Sequence, residues 1–358
     1  MSSSSLQQST IALAAKAFRR VPARFTVARI FGRSYTLRCV VFHNVAPAPS
    51  PFTAGISVSI TPQAFEAVLQ FLTAHYTPVR LEDVLTDCDG KGLPERAVLL
   101  TFDDAYASVA EVAAPLCRRY RVPAAFFVNA AFVDNRCLAP DNLVCYAARM
   151  LGIEVINRAI RAVAGTQAPE LQSLAEVFGA FFPAISLAQR AAFLNALCRI
   201  AGVTEEKLAR EANLYLTGSQ LRDLSSVDFE IGNHTYTHTH CRSFVPQDFA
   251  SEIDRNKMEL EAICGTRIRS FSQPYGSSQD VTQDLTEHLE RSGHQAVFLS
   301  QSVANPRNAD LFHLDRVSTG AASDDALFLE IEVLPRLRAI RHKLFPAPHR
   351  IARAVVAA

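Results

Sequence analysis

The stretch from Ala97 to Asp104, Ala-Val-Leu-Leu-Thr-Phe-Asp-Asp, ends an apolar run with two adjacent carboxylates. The apolar run predicts a β-strand. In parallel α/β sheets and barrels, functional groups gather at the carboxyl ends of strands, which is where Asp103 and Asp104 fall. Because two neighbouring carboxylates are costly to bury without a cation or a donor, this doublet indicates a metal site.

A second apolar run, from Phe229 to Ile231, leads into His234-Thr235-Tyr236-Thr237-His238. One Asp and two His ligands leave a coordination position open for water, which is typical of catalytic metal sites. Taken alone, the Asp pair fits a helix cap equally well, and the His pair fits an accident of spacing on the surface. Their joint occurrence favours the metal site. His240 follows them, either beside the ligands or on the surface.

The rest of the chain alternates apolar runs with amphipathic segments. Predicted strands are Arg38–His43, Ala97–Phe102, Ala124–Asn129, Phe229–Ile231, Arg269–Gln273, Gln295–Leu299 and His313–Val317. Predicted helices are Pro62–Ala74, Val109–Tyr120, Gln247–Cys264 and Val281–Arg291. Repeated βα units predict a parallel sheet, either open or closed into a barrel. Residues 134–216 lack convincing strands and are predicted to form a helical insertion.

Composition is that of an ordinary globular protein. With 358 residues, 49% of them hydrophobic and 20% charged, the chain suffices for one α/β barrel or two smaller domains. The eight cysteines are scattered without a CxxC pair, and several lie in apolar stretches. We interpret them as reduced thiols, with a disulfide framework as the weaker alternative.

Charge is distributed unevenly along the chain. Residues 1–65 contain seven Lys and Arg and no acid, residues 333–358 contain six and no acid, and the middle contains 23 basic and 35 acidic residues. The acidic middle and the lack of a recognised motif argue against a nucleic-acid partner. The N-terminal cations alternate with apolar residues, which fits either an amphipathic segment on anionic lipid or a solvated tail.

Cellular location is an expectation from the same segments. No apolar run is long enough to span a bilayer, and Ile11–Ala15 is shorter than the apolar region of a secretory signal. We therefore expect a cytoplasmic protein, with peripheral contact to the inner face of the membrane through its basic termini. The oligomeric state is left open.

Four motifs resemble those of NodB-type polysaccharide deacetylases, carbohydrate esterase family 4, over about residues 36–320. Thr-Phe-Asp-Asp at 101–104 matches the first family motif and His-Thr-Tyr-Thr-His at 234–238 the second. Phe-Ser-Gln-Pro-Tyr-Gly at 271–276 is similar to the third, and 120–127 resembles a conserved strand entry. The resemblance implies a distorted (β/α)7 barrel and metal-dependent hydrolysis of N-acetyl groups on an amino-sugar glycan.

The domain prediction follows from this resemblance and the element pattern. The barrel is assigned to residues 36–133 and 217–325, and the helical insertion to 134–216. A basic amphipathic segment is assigned to 1–35, and a basic C-terminal helix or tail to 326–358.

Site residues are carried over from the family motifs. The resemblance implies that Asp103 is the general base and that Asp104, His234 and His238 hold the metal. The backbone N–H of Tyr275 would face the developing oxyanion. Zinc suits this ligand set best, although nickel, cobalt or iron could also fit.

The chain departs from the family pattern at two places. Ser272 stands where many members have an arginine that orients the base. Arg316 could supply that charge, or it could form an ordinary salt bridge with Asp315 or with a carboxylate at a helix end. The late LxH motif, source of the general acid, has no clean match, and His313 opens its strand at the wrong end of the barrel. His43 closes the first strand, as in the poly-N-acetylglucosamine deacetylase branch, and is the preferred acid.

Two other functions stay open at this point. The same metal site could hydrolyse a different C–N bond, such as that of a small amide or imide. A non-catalytic carbohydrate-binding relative could also have kept the barrel. The intact Asp103, Asp104, His234 and His238 argue against this second alternative, whereas Ser272 and the absent LxH motif keep it open.

Overall fold

The structure is a computed structural model that describes residues 37–87, 92–165, 168, 170–225, 229–306 and 308–344, without the side chains of 342 and 343. The predicted N-terminal segment, 1–35, and the end of the predicted C-terminal tail lie outside the described residues. No helix within the described ranges is long and apolar enough to cross a membrane.

Eleven strands are described, most of them short. They are β1 (Leu37–Phe42), β2 (Asn44–Val45), β3 (Ser59–Ile60), β4 (Thr77–Pro78), β5 (Ala97–Phe102), β6 (Ala124–Val128), β7 (Phe229–Asn233), β8 (Ser270–Ser272), β9 (Ala296–Leu299), β10 (Leu314–Asp315) and β11 (Val317–Ser318). Each of the seven strands predicted from the apolar runs overlaps one of these, and the last prediction is split into β10 and β11. The split has a structural cause, because the chain changes its pairing partner there.

The main sheet is parallel throughout. Its strands follow the order β10, β9, β8, β7, β6, β5, β1, β11, and β4 pairs with the start of β5. The strand β10 pairs with β9 and β11 pairs with β1, and only Arg316 separates the two. The sheet therefore closes into a barrel with seven strand positions, one of which is shared by β10 and β11. This confirms the predicted (β/α)7 class. Arg316 sits at the point of closure.

Helices connect the strands and surround the barrel. The α-helices are Pro62–His75, Leu81–Thr86, Ala114–Tyr120, Pro140–Leu151, Ile153–Ala164, Leu174–Glu176, Leu187–Ala201, Glu205–Ala212, Gly218–Leu224, Arg255–Cys264, Gln283–Arg291, Asp324–Phe328 and Leu334–Leu344. Four π-helical segments are described: Val109–Ala113, Ala250–Asp254 and Leu329–Val333 each lead directly into an α-helix, and Val177–Phe181 directly follows helix Leu174–Glu176. The predicted helix 109–120 therefore begins with a π-helical segment. The predicted helix 247–264 also begins with a π-helical segment, and it begins at Ala250 instead of Gln247.

The core is divided between the inside of the barrel and its helical shell. Alternate strand residues such as Cys39, Leu99 and Phe127 fill the inside. Their neighbours, such as Phe42 and Phe102, face outward and pack under the helices. Leu327 and Ile331, which the sequence assigned to the C-terminal segment, also pack in this outer layer. This packing does not mark a boundary at residue 326, so the predicted boundary stays a prediction.

The region between β6 and β7 has its own hydrophobic cluster. Helices Pro140–Leu151, Ile153–Ala164 and Leu187–Ala201 pack together there around Ile160 and Phe193. Phe52 and Tyr106, which lie outside the predicted insertion, join this cluster. The insertion is thereby packed against the barrel rim beside the Asp103-Asp104 end of β5.

Gly232 in β7 is required by the packing inside the barrel. A Cβ atom at this position would lie 2.3 Å from Cδ1 of Phe127 and 2.8 Å from the Ser270 hydroxyl. Such distances are well inside van der Waals contact, so a side chain here would displace the strand. Because His234 follows two residues later on the same face, this close packing sets the position of the histidine.

A buried histidine predicts part of the acid sensitivity of the fold. His294 is 3% exposed, and its ring nitrogens lie 3.2 Å from Asn233 Nδ2 and 2.9 Å from Ser292 Oγ. Burial, with a smaller contribution from Lys257, lowers its pKa to about 3. Between about pH 6.5 and this pKa the unfolded chain binds a proton at His294 and the native state does not, so the free energy of unfolding falls as the pH falls.

We expect His294→Gln to flatten this pH dependence. Urea unfolding of the metal-free protein at pH 7 and pH 5 measures it, and wild type should lose about 2 kcal/mol more than the variant. The exposed His313→Gln should behave as wild type. Equal losses in wild type and His294→Gln would show that His294 is protonated in the native state.

Candidate metal centre and active site

Three side chains at the carboxyl end of the barrel converge on one point. Asp104 Oδ1 lies 3.3 Å from His234 Nε2 and 3.3 Å from His238 Nε2, and their ligand atoms all lie within 4.8 Å of one another. All three residues are buried. Among the described residues, Asp104 Oδ1 has no hydrogen-bond partner.

This arrangement fits a tetrahedral metal ion. Zinc bonds of about 2.0–2.1 Å place tetrahedral ligand atoms about 3.3 Å apart, and a buried carboxylate oxygen without a donor needs a cation. Burial opposes the ionisation of Asp104, but attraction to the His238 and His234 imidazoles outweighs it and holds the pKa of Asp104 below its usual value. The carboxylate is therefore available as a ligand.

Asp103, the neighbour of this ligand, is held by Arg316 in a bidentate ion pair. Arg316 Nη1 donates to Asp103 Oδ1 at 2.8 Å, and Nη2 donates to Oδ2 at 2.6 Å. Ser272 Oγ also donates to Oδ2, at 3.2 Å. Burial would raise the pKa of Asp103, but the Arg316 charge outweighs it, so the pKa lies below its usual value. Asp103 is thus an ionised carboxylate beside the metal position.

Arg316 is fully buried, and its guanidinium is satisfied on every side. Its Nε donates to the carbonyl of Leu299 at 3.0 Å, and Nη2 reaches the Ser272 and Ser300 hydroxyls at 2.8 and 3.0 Å. Phe127 lies below it, with the ring centroid 5.5 Å from Cζ. Of the partners considered from the sequence, which were the base Asp103, Asp315 and a helix-end carboxylate, the ion pair is with Asp103. Asp315 instead accepts from the Gln301 backbone N–H at 2.7 Å.

The histidines are oriented through their other ring nitrogens. His234 Nδ1 donates to the carbonyl of Ser272 at 2.7 Å. His238 Nδ1 lies 2.6 Å from Asp141 Oδ2, in the first turn of helix Pro140–Leu151. These contacts direct Nε2 of both rings toward Asp104, which is how metal-binding histidines are usually held.

Backbone strain is concentrated at this site. Non-glycine residues with positive φ include Asp104 at 72°, Ala105 at 59°, Thr235 at 60°, His238 at 53° and Tyr275 at 62°. Each such residue costs on the order of 1–3 kcal/mol and persists only where the surroundings enforce it. The concentration of strained residues here is typical of a preorganised functional site.

The two candidate acids lie in different environments. His43 directly follows β1, in register beside Asp103, because Phe42 pairs with Phe102. Burial lowers its pKa, and the charges of Asp104 and Asp103 act on it in the opposite direction. His313 lies instead in the turn Leu311–His313, where its side chain is 48% exposed and 2.7 Å from Asp310. The charges of the site therefore act on His43, whereas His313 lies in a turn where it pairs with Asp310.

Tyr275 and His240 form one wall beside the histidines. Their rings stack at a centroid distance of 3.6 Å and an angle of 6°. His240 is buried, with Nδ1 3.1 Å from Asp280 Oδ2, so of the two positions predicted for it the structure places it beside the ligands. The Tyr275 hydroxyl donates to Asp141 at 2.8 Å. Tyr275 follows Pro274 at the end of β8, where its backbone is on the same rim as Asp103.

Two polar residues of the insertion were not singled out from the sequence. Asp141 contacts His238 and Tyr275, and Arg190 Nη1 donates to the carbonyl of His238 at 3.0 Å. Asp141 follows a proline at a helix start, which is an ordinary place for an acidic residue. The only sequence signal for either residue was its location in a helical segment between the two ligand motifs.

The described cysteines take no part in the site. All seven of them are free thiols, and the eighth cysteine of the chain, Cys88, lies outside the described residues. Burial raises the pKa of Cys39 to about 12, so this thiol stays protonated at neutral pH.

Comparison with known proteins decides the family. The family model "Polysaccharide deacetylase" matches residues 90–174 and 180–296, which is more than half of the chain. The chain belongs to this family. It is accordingly a metal-dependent hydrolase that removes N-acetyl groups from glycans, as the resemblance of its motifs implied. No curated protein matches the chain.

Solved structures agree in fold. The chain is similar to the Streptococcus pyogenes deacetylase PplD in complex with acetate, with 15% identity, a TM-score of 0.56 and coverage of 84% of this chain and 99% of that one. It is also similar to IcaB from Ammonifex degensii, with 18% identity, a TM-score of 0.52 and coverage of 83% and 97%. It is similar as well to the putative polysaccharide deacetylase BA0330 from Bacillus anthracis, with 14% identity, a TM-score of 0.53 and coverage of 84% of this chain and 70% of that one. At these identities the likeness shows the shared barrel fold.

Proposed function

We propose that this polysaccharide deacetylase uses zinc, held by Asp104, His234 and His238, and that Asp103 is its general base. The observation that carries the proposal is the pairing of an ionised, Arg316-bound Asp103 with an adjacent carboxylate that lacks a hydrogen donor and faces two imidazoles. This arrangement separates the two neighbouring acids into a proton acceptor and a metal ligand.

Zinc suits the two imidazoles and one carboxylate better than the oxygen-preferring Mg²⁺ or Ca²⁺. A bound zinc ion would supply Lewis acidity that polarises the acetamide carbonyl and makes a water molecule easier to deprotonate. Nickel, cobalt and iron remain alternatives that metal analysis of the purified protein distinguishes.

Asp103 is placed to take the proton of the attacking water. Its bidentate bond to Arg316 fixes the carboxylate and keeps it ionised, and Ser272 donates to the same oxygen as Nη2. A base that is ionised and positioned before substrate binds contributes typically about 10²–10⁴-fold to the rate. Ser272 thus donates a hydrogen bond to the base from the position where the family pattern has an arginine, and Arg316, between β10 and β11, supplies the positive charge.

The remaining groups act on the acyl carbon and the leaving group. The backbone N–H of Tyr275 would donate to the oxygen of the acetamide as negative charge develops there. His43 would protonate the nitrogen as the C–N bond breaks, which releases acetate and a free amine. An unperturbed imidazole titrates near neutrality, and although burial lowers the pKa of His43, the charges of Asp104 and Asp103 favour its protonated form.

The substrate proposed is a polymer or oligomer of N-acetylglucosamine, in free or lipid-linked form. The support is the acid from the first strand, which resembles the poly-N-acetylglucosamine deacetylase branch. Incubation of the purified protein with N-acetylglucosamine oligomers and measurement of acetate test this proposal. Acetate release supports it, whereas turnover of small amides or imides alone would favour the alternative C–N hydrolase.

A further inference from the structure

The helical insertion reaches the metal position through one carboxylate. Asp141 is 7% exposed, its Oδ2 lies 2.6 Å from His238 Nδ1, and its Oδ1 accepts from the Tyr275 hydroxyl at 2.8 Å. One side chain from outside the barrel strands therefore contacts both a proposed metal ligand and the residue at the proposed oxyanion position.

An acidic residue in the first turn of a helix often serves the helix itself. Such a residue is usually exposed and interacts with the backbone N–H groups of its own first turn. Asp141 is different, because the two hydrogen bonds described for it run to residues 97 and 134 positions away in the sequence. Stabilisation of helix Pro140–Leu151 does not account for this geometry.

We propose that Asp141 is a positioning residue of the metal centre, through which the helical insertion sets the affinity of the protein for its metal ion. The inference rests on the proposed function, since it takes His238 as a metal ligand. A carboxylate that accepts a hydrogen bond from Nδ1–H keeps the proton on Nδ1, so the lone pair of Nε2 is free for the metal. It also fixes the plane of the ring. Its negative charge also makes the imidazole a stronger base.

Other contacts hold the same loop from the same side. Arg190, on helix Leu187–Ala201, donates to the carbonyl of His238 at 3.0 Å and also contacts the Thr237 hydroxyl. His240 Nε2 lies 3.1 Å from the carbonyl of Phe178 in the insertion. The ligand loop 234–240 is thus fixed by the insertion at three places, and Asp141 is the one that contacts a proposed ligand side chain.

The test is the zinc affinity of Asp141→Asn, measured by competition with a chromophoric chelator. Asparagine keeps the size and an acceptor oxygen but removes the charge, so we expect about 10–100-fold weaker zinc binding. Glu154→Gln is the matched control, because Glu154 is also a first-turn acid of the insertion, exposed and paired with Arg161. It should bind zinc as wild type does.

The outcomes separate this inference from the proposed function. Wild type that binds no zinc contradicts the proposed metal site itself. Wild type and folded Asp141→Asn with equal affinity overturn the positioning role alone. If Asp141→Asn does not fold, NMR of zinc-loaded wild type with ¹⁵N-labelled histidine decides the question. The inference expects a protonated Nδ1 on His238, protected from exchange, and an unprotonated Nδ1 overturns it.

Discussion

Replacing Asp103 by Asn is expected to slow acetate release by orders of magnitude while the metal stays bound. Asparagine matches the shape of aspartate but cannot accept a proton from water at neutral pH. A general base contributes about 10²–10⁴-fold, so the rate should fall by that factor. Because Asp104, His234 and His238 are unchanged, the zinc content of the purified variant should equal that of wild type. Acetate release and metal analysis of the same sample measure the two quantities together.

A pair of histidine variants accompanies this test. His43→Gln should slow acetate release with metal retained, and His313→Gln should not, because the His313 side chain is 48% exposed and paired with Asp310. Full activity of zinc-loaded Asp103→Asn would contradict the role of Asp103. The opposite ranking of the two histidine variants would transfer the acid role to His313.

Replacing Arg316 by Met is expected to destabilise the protein strongly. The variant leaves the Asp103 carboxylate, 3% exposed, without the cation that holds it. Removal of one partner of a buried ion pair costs about 3–5 kcal/mol, since the other charge stays buried and uncompensated. Urea unfolding of the metal-free proteins, followed by circular dichroism, measures the difference. The loss should be largest at neutral pH, where Asp103 is ionised.

An exposed pair provides the control. Arg119 Nη1 lies 3.1 Å from Glu66 Oε1, and the Arg119 side chain is 70% exposed. Arg119→Met should cost only about 0–1 kcal/mol. The double variant Asp103→Leu/Arg316→Met should recover part of the stability that Arg316→Met loses, because neither charge then stays buried alone. A loss for Arg316→Met no larger than for Arg119→Met would contradict the structural importance of this pair.

Sequence predicted the barrel well because its signals are local. Each barrel strand is a short apolar run, and the Asp and His motifs directly follow β5 and β7. Those motifs place Asp104, His234 and His238 at one rim without knowledge of the loops between them. The division of the last strand was not predicted, because it depends on the pairing of β10 with β9 and of β11 with β1.

Contacts between distant segments account for what sequence missed. Arg316 lies next to Asp315 in the chain but 213 positions from Asp103, so both pairings were open until the barrel closure oriented its guanidinium. Asp141 was missed for a similar reason. Its sequence surroundings are those of any helix start, and its role depends on how the insertion packs on the ligand loop.

The central claim is that this chain removes N-acetyl groups with the help of a metal held by Asp104, His234 and His238. Acetate release from an N-acetylglucosamine oligomer, measured before chelation, after chelation and after addition of zinc, tests it most directly. We predict release that is lost with the metal and restored by zinc. Undiminished release from protein shown to be free of metal, or no release from folded, zinc-loaded protein, would contradict it.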